Sequence, residues 1–193
     1  MKSSKRGNYL ANALTAAGVL LLGYCAFVFI QARLFQIAGE RSFELKVHAP
    51  AAPGAPAPTP QMGQIMGRLE IPRLALSVMV VEGDDGHDLK RAAGHIPGTA
   101  LPGQPGNMGI AAHRDTYFRP LRGIRQGDAI DVQTLRGYYS YRVTSVQIVG
   151  PQDNQVLLPT PHDSLTLVTC YPFYYVGPAP KRFIVRAQRV PAG

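Results

Sequence analysis

Three residue types in this sequence have the chemistry needed for covalent acyl transfer: a cysteine, a histidine and an arginine. Cys170 ends the strand-like run Leu165–Thr169 and is the only cysteine beyond the apolar N-terminal segment. Arg182 comes twelve positions later, at the start of another apolar run, and His113 directly follows a third. A thiolate is a nucleophile, an imidazole exchanges protons with it, and a guanidinium offers a fixed fork of donors to an oxyanion. These three side chains are therefore the candidate site.

Cys170 cannot form an internal disulfide if Cys25, the other cysteine, lies in a membrane-spanning segment. An unpaired thiol in an oxidising compartment is a liability unless it has a use. The alternative is that Cys170 packs in the core as a small apolar residue. In the same way, His113 is one of five histidines, and Arg182 fits an ordinary surface charge at the start of a strand. The residues alone leave these alternatives open.

The remaining histidines and carboxylates do not predict a metal site. His113 has Asp115 nearby and His162 precedes Asp163, but neither pair has the ligand spacing of a zinc site. The sequence also lacks a convincing carboxylate cluster for calcium. We therefore assign no metal and no cofactor.

Short runs of β-branched and apolar residues from Gly67 onward predict strands separated by turns rich in Gly, Pro and Asp. Brief helical turns are expected at His87–Ala92 and Tyr117–Ile124, so the domain is mostly β. This pattern fits an antiparallel sandwich or a closed barrel. The expected strands are Gly67–Ile71, Ser77–Val81, Met108–Ala112, Ala129–Thr134, Tyr138–Val149, Leu165–Cys170 and Arg182–Val190.

Pairing of the last two strands would bring candidate residues together. If Leu165–Cys170 and Arg182–Val190 form an antiparallel hairpin, the thiol and the guanidinium share one end of the sheet. His113 also sits where a strand ends, after Met108–Ala112. Functional side chains commonly lie at such positions on a rigid scaffold. The spacing does not show whether His113 lies at the same end of the domain.

The N-terminal segment predicts a membrane anchor. Tyr9 to Ile30 contains no charged residue across 22 positions, which is long enough to cross a hydrocarbon core. The alternative, a cleavable signal peptide, is disfavoured because the segment is long and no small-residue cleavage site ends it. Lys2, Lys5 and Arg6 precede the span, so we expect a cytoplasmic N-terminus and an extracytoplasmic domain in the cell membrane.

The chain is expected to divide into a basic N-terminus (1–8), a transmembrane anchor (9–30), a juxtamembrane segment with a linker (31–61) and a catalytic domain (62–193). The linker contains a Pro/Ala tract at 49–60, which is typical of an extended spacer that holds a domain off the membrane. The net charge is +8, but about half of the excess flanks the apolar segment and the rest forms no basic run. Nucleic acid is therefore not an expected partner.

Several strings resemble the motifs of a known family. Leu165-Thr-Leu-Val-Thr-Cys170 resembles the TLxTC signature of sortases, the membrane-anchored cysteine transpeptidases of bacterial envelopes. Ala112-His-Arg-Asp115 resembles their histidine motif, and Arg182 stands where their arginine follows the cysteine strand. The longer strings at 112–121 and 169–177 are most similar to class D sortases.

The resemblance covers Gly67 to Val190 and implies a closed eight-stranded β-barrel with short helices, preceded by the N-terminal transmembrane helix. One departure is Ala112, because a glycine often precedes the histidine in this family. The implied catalytic roles are nucleophile for Cys170, general acid and base for His113, and oxyanion and substrate positioning for Arg182. Thr169 and Ala112 are secondary, substrate-binding positions, and Thr169 could orient Arg182 or the substrate.

The implied partners are substrate proteins with a C-terminal LPxTG-like sorting signal and an amine on an envelope component. By the same resemblance, Val149–Pro161 would help to form an apolar groove for the leucine and proline of that signal. Two other functions stay open. One is a tethered β-barrel that only binds envelope proteins; the other is a cysteine peptidase or transpeptidase that acts on other envelope peptides.

Overall fold

A computed structural model describes residues 3–47, 60–175 and 177–191 of the chain. Within these residues, a long helix, α1 (Ser3–Val47), precedes eight β-strands. Short 3-10 turns lie between strands at 72–74, 119–123 and 154–157. The strands are β1 (Ile65–Ile71), β2 (Leu76–Glu82), β3 (Ala93–His95), β4 (Asn107–Ala111), β5 (Ala129–Thr134), β6 (Gly137–Val149), β7 (Ser164–Tyr171) and β8 (Lys181–Arg189).

The eight strands close into a barrel in the order β1-β2-β3-β4-β7-β8-β6-β5. The pairs β2–β3 and β4–β7 are parallel, and the other neighbouring pairs are antiparallel. Closure gives each strand a neighbour on both sides and so satisfies most backbone hydrogen-bonding groups. The closed eight-stranded barrel implied by the family resemblance is confirmed, and the sandwich is excluded.

Every strand expected from the sequence is present, and one further strand has no sequence signal. β3 has only three residues, too few for an alternating pattern to be detected. It nevertheless joins β2 to β4, through the pairs Val80 with Ala93 and Gly94 with Ala111. The segment before it, from residue 86, forms hydrogen-bonded turns, as the expected helical turn at His87–Ala92 suggests.

Alternate residues of each strand face the inside and the outside of the barrel. In β7, Leu165 and Leu167 are fully buried in the central core, whereas Thr166 and Val168 have the opposite phase and face outward. Full burial of one large apolar side chain stabilises a fold by about 1.5–3 kcal/mol. The inner face therefore supplies much of the stability, and the outer positions of the same strands are available for chemistry.

The second half of α1 packs against the outside of β1 and β2. The Gln36 side chain accepts a hydrogen bond from the backbone N–H of Met79 at 2.9 Å and donates one to the Arg91 carbonyl at 2.6 Å. The Arg91 guanidinium also lies over the Phe35 ring, 4.6 Å from its centroid. The Gln36 side chain therefore accepts a hydrogen bond from a backbone N–H of β2, as the carbonyl of a neighbouring strand would.

Further along α1, charged and apolar contacts continue this packing. Phe43 is only 2% exposed. Arg68 of β1 forms salt bridges with Glu40 at 3.1 Å and Glu44 at 2.9 Å. The helix and the barrel are therefore in direct contact over two to three helical turns, a contact that the predicted spacer does not anticipate.

The first half of α1 has the opposite character. An 18-residue window within Asn8–Val47 has a mean hydropathy of 2.3, and none of that window is buried in the part of the chain described. By length and composition, this helix is sufficient to cross a membrane. The predicted Pro/Ala spacer at 49–60 lies outside the described residues, apart from Pro60.

Candidate active site

Cys170 lies near the end of β7 and faces the outside of the barrel, because it is in phase with Thr166 and Val168. Its thiol is free and half-buried. The residue that follows, Tyr171, has the opposite phase and packs against the central core. The candidate nucleophile is thus held by a rigid strand rather than by a loop.

Arg182 stands directly opposite Cys170 in the antiparallel β7–β8 pair. Directly opposed residues lie on the same face, with Cβ atoms about 4.5–5.5 Å apart. The guanidinium Nη1 donates to the carbonyl of Ala179 at 3.2 Å and to that of Lys181 at 3.1 Å. The hairpin expected from the sequence is present, and these two bonds fix the guanidinium against the chain that leads into β8.

His113 approaches Cys170 from the other side, through the parallel β4–β7 pair. Ala111 is in register with Val168, and the Ala112 backbone N–H donates to the Val168 carbonyl at 3.3 Å. Continuing this register by two residues places His113 beside Cys170 on the outer face. Cys170 therefore lies on a strand between β4, which His113 follows by two residues, and β8, which carries Arg182.

Cys170, His113 and Arg182 line one groove of about 350 Å³ on the outside of the barrel. An apolar cleft with a few convergent polar groups is typical of a ligand site. Part of its wall comes from Val149–Pro161, the segment expected to form it. The apolar lining residues are Leu89, Ile96, Ala111, Ala112, Val149, Pro151, Val156, Leu157, Val168 and Ile184.

The wall formed by the 3-10 turn at 154–157 is fixed to the strands behind it. The Val156 carbonyl accepts hydrogen bonds from Asn107 Nδ2 at 3.0 Å and from Arg186 Nη2 at 3.1 Å. Val156 itself is buried. This side of the groove is therefore formed before any ligand binds.

Thr169 and Ala112 form a buried link between β7 and β4. The Thr169 hydroxyl donates to the Ala112 carbonyl at 2.7 Å, and both residues are at most 5% exposed. Thr169 immediately precedes Cys170 in β7, and Ala112 immediately precedes His113 just after β4. The Thr169 hydroxyl thus orients the backbone before His113, and Thr169 and Ala112 are both among the residues that line the groove. Their contact with the substrate stays a prediction.

The loop between β7 and β8 is held by Arg114, the residue after His113. Its Nη2 donates to the carbonyls of Tyr175 at 2.7 Å and Gly177 at 3.1 Å. Beside it, the Arg122 guanidinium lies 5.6 Å from the centroid of the Tyr174 ring. Arg114 is part of the sequence motif around His113, but the sequence does not predict that it holds this loop. The carbonyls that Arg114 binds are 61 and 63 positions away along the chain.

Sequence reasoning also misses the groove residues that come from the segment between β2 and β4. Leu89 and Ile96 add apolar surface, and Asp84 contributes a carboxylate, as does Asp153 from the opposite wall. The positive charge of Arg182 lies in the same groove. These residues lie in irregular segments, where no periodic pattern marks a face.

Two other groups of ionisable residues lie outside the groove. His95 is 1% exposed, and its Nδ1 lies 2.8 Å from a Glu82 carboxylate oxygen, which is typical of a satisfied structural histidine. Asp85, His87 and Asp88 have possible ligand atoms within 4.8 Å of one another. Asp85 already accepts the backbone N–H groups of the other two, so this cluster closes a turn.

Comparisons with known proteins agree with this geometry. The Sortase domain family profile matches residues 69–190, which is nearly the whole barrel. Sortase D of Bacillus subtilis strain 168 is 32% identical over 189 residues, covering 92% of this chain and 96% of that protein.

Two solved structures share the fold. A Clostridium perfringens sortase D5 transpeptidase superposes with a TM-score of 0.70 at 23% identity, over 81% of this chain and 99% of that one. Sortase C1 of Streptococcus agalactiae superposes with a TM-score of 0.62 at 29% identity, over 67% and 69%. The chain therefore belongs to the sortase family, whose members are cysteine transpeptidases.

Proposed function

We propose that this chain is a membrane-anchored transpeptidase that cleaves an LPxTG-like sorting signal through a thioester on Cys170 and transfers the acyl group to an amine. The observation that carries this proposal is that Cys170 lies on β7 between β4, which leads into His113, and β8, which carries Arg182, and that all three residues line one groove. A nucleophile, a proton donor and acceptor, and a fixed oxyanion donor are the three groups that acyl transfer requires.

In the first half-reaction, the Cys170 thiolate attacks the carbonyl carbon of the threonine in the signal. Arg182 donates hydrogen bonds to the oxyanion that forms, and its planar fork suits that charge. Protonated His113 then gives its proton to the leaving amine as the C–N bond breaks. The products are a thioester on Cys170, a released C-terminal peptide and a neutral imidazole.

In the second half-reaction, an acceptor amine attacks the thioester carbonyl. Neutral His113 takes the proton from the attacking amine, and Arg182 again binds the oxyanion. The C–S bond breaks, the thiolate leaves, and a new amide joins the substrate protein to the acceptor. Water in place of the amine gives the free acid.

The groove gives the signal its binding energy. Leucine and proline side chains bury apolar surface against the walls, at about 25 cal/mol per Å². Because Val156 is tied to the strands by two hydrogen bonds, little ordering is needed on that side when the peptide binds.

The N-terminal helix places this chemistry at the cell envelope. We infer that its apolar half crosses the membrane once and that Lys2, Lys5 and Arg6 keep the N-terminus cytoplasmic. The barrel then lies outside the cytoplasm, where sorting signals emerge and envelope amines are available.

The proposal is tested with the full-length protein in nanodiscs, an LPxTG-type peptide and an added amine. Wild type is expected to release the C-terminal peptide and form a new amide, both identified by mass. Cys170→Ala removes the nucleophile and should lower the rate by at least about a thousandfold.

The chain supplies its own matched control, Cys25→Ala, because Cys25 is the other free cysteine and lies in α1. This variant is expected to keep full activity. Undiminished transfer by Cys170→Ala would overturn the proposal. Free acid as the sole product, even with excess amine, would identify a peptidase.

A further inference from the structure

The contacts of α1 fix where the membrane lies relative to the active site. Gln36 is bonded to Arg91 and Met79, and it lies only six residues beyond Ile30, the end of the uncharged span. At 1.5 Å per residue, the barrel begins about 9 Å along the helix from the hydrocarbon core. That distance is comparable with the headgroup region, which is roughly 5–8 Å thick on each side of the bilayer.

The segment that follows His113 also lies close to this part of the helix. Burial raises the pKa of the Tyr117 phenol above its ordinary value, and the nearby Gln36 side chain and Arg33 charge oppose that rise. Tyr117 is four residues beyond His113. The segment that follows His113 is therefore close to the part of α1 that comes directly after the apolar span.

The exposed surface beside Tyr117 is cationic and aromatic. Residues 114–125 contain four arginines and one aspartate. Arg119 and Arg122 are exposed, and neither forms an ion pair with a carboxylate among the residues described. Arg122 lies over Tyr174, whose side chain is 73% exposed in the adjacent loop. We call Arg119, Arg122 and Tyr174 the rim patch.

We propose that the rim patch binds anionic phospholipid headgroups and holds the active-site end of the barrel against the bilayer. Arginines at the membrane surface attract anionic lipids, and tyrosine rings favour the interface because they have an apolar body and a polar tip. The proposal rests on the membrane anchoring proposed above. It adds a surface and a partner that the transpeptidase chemistry does not require.

The consequence is that Cys170 lies close to the membrane surface. A sorting signal held near that surface needs no long extension to reach Cys170 in this arrangement. An extended spacer that lifts the barrel away would have the opposite effect.

The test measures the depth of a spin label on the full-length chain, with Cys25→Ala and Cys170→Ala removing the native thiols. One label is placed at Thr116→Cys, an exposed position beside Tyr117. The matched control is Leu135→Cys, 53% exposed in the turn between β5 and β6 at the opposite end of the barrel. The protein is held in nanodiscs of phosphatidylglycerol, and the relaxing agent is nickel chelated to lipid headgroups.

We expect relaxation at position 116 to be severalfold stronger than at 135. The difference should shrink in phosphatidylcholine nanodiscs and in the double variant Arg119→Glu, Arg122→Glu. Equal relaxation at the two positions in protein that is incorporated into nanodiscs would overturn this inference and leave the transpeptidase proposal intact. A strong signal at 116 that ignores both lipid charge and the charge reversal would overturn the assignment of anionic lipid.

Incorporation is measured separately, by co-purification of the chain with lipid. Protein that does not incorporate would overturn the anchoring itself, and this inference with it. Transfer activity of the unlabelled chain, measured with a soluble peptide, is independent of either result.

Discussion

Thr169 and Cys170 are neighbours in β7, but their side chains lie on opposite faces of the barrel wall. Thr169 faces inward, is 3% exposed and donates a hydrogen bond to the Ala112 carbonyl. Cys170 faces outward and lines the groove with His113 and Arg182. Because side chains alternate along a strand with a period of two, β7 presents a structural residue on one face and the candidate nucleophile on the other. The buried inner face fixes the backbone from which the candidate catalytic side chains of the outer face project.

Among substitutions on the two faces, the largest loss of turnover is expected on the outer face. Arg182→Lys keeps the charge but replaces the planar fork with a point charge, so turnover should fall by about a hundredfold to a thousandfold. The unfolding midpoint should change little. The measurement is kcat with the LPxTG-type peptide and amine.

The matched control is Lys181→Arg, the reverse exchange at the adjacent and exposed position. It is expected to leave kcat unchanged. Near-normal turnover in Arg182→Lys would remove Arg182 from the oxyanion role.

On the inner face, Leu167→Ala should lower the free energy of unfolding by about 2–5 kcal/mol, because it leaves a cavity in a fully buried site. The folded protein should keep most of its kcat.

The matched variant on the outer face is Val168→Ala, one residue along the strand. It removes apolar surface from the groove and should raise KM with a smaller loss of stability. Denaturant unfolding measures the loss of stability, and steady-state kinetics measure KM. If Leu167→Ala and Val168→Ala changed the free energy of unfolding and KM equally, the two faces would not have separate roles.

Thr169→Val tests the link between the faces. The variant has nearly the same shape but leaves the Ala112 carbonyl without its 2.7 Å hydrogen bond, at a cost of about 1–3 kcal/mol in unfolding free energy. Turnover should also fall, since Ala112 precedes His113. Thr169→Ser retains the hydroxyl and should restore both values, and a Thr169→Val protein as stable and active as wild type would argue against the link.

The smallest effect is expected at an ion pair away from the site. Asp128 accepts a hydrogen bond from Arg73 Nη2 at 2.6 Å, and this bond is the main reason that the pKa of the Asp128 carboxyl is lowered. Because the pKa of Asp128 is lower in the folded state, its ionised carboxylate stabilises the folded protein at pH values above the ordinary pKa of 3.8. This stabilisation is lost as the pH falls through the folded-state pKa. Because Arg73 is 42% exposed, Asp128→Asn should cost only about 1 kcal/mol at neutral pH.

That cost is read from urea unfolding of wild type and Asp128→Asn between neutral pH and pH about 2. The two unfolding free energies should converge as the pH falls, because wild-type Asp128 is then protonated and resembles asparagine. A difference that stays constant across the whole range would show that the carboxylate charge does not contribute.

The sequence predicts the parts of this fold that depend on local pattern. Alternation of apolar residues marks the strands, and the short separation between Cys170 and Arg182 predicts a hairpin that sets them opposite each other. The family motif adds His113 and the closed barrel. The fold prediction is confirmed, whereas the catalytic roles stay predictions until the variants are measured.

The features that the sequence does not predict are contacts between distant segments. His113 reaches Cys170 through a parallel β4–β7 pair, and parallel strands leave no turn signal between them. The packing of α1 depends on Gln36, whose two partners are 43 and 55 positions away. A single polar side chain in a helix gives no sign of such partners. The contact therefore emerges only from the folded chain, although the proposed position of the barrel at the membrane depends on it.

The most direct test of the central claim is the mass of the acyl-enzyme. The full-length protein is incubated with an LPxTG-type peptide without added amine, quenched in acid and digested for peptide mapping. We predict an adduct with the mass of the peptide up to its threonine, attached to Cys170, sensitive to hydroxylamine and absent from Cys170→Ala. An adduct on another residue, or cleavage of the signal with no thioester in either protein, would contradict the account.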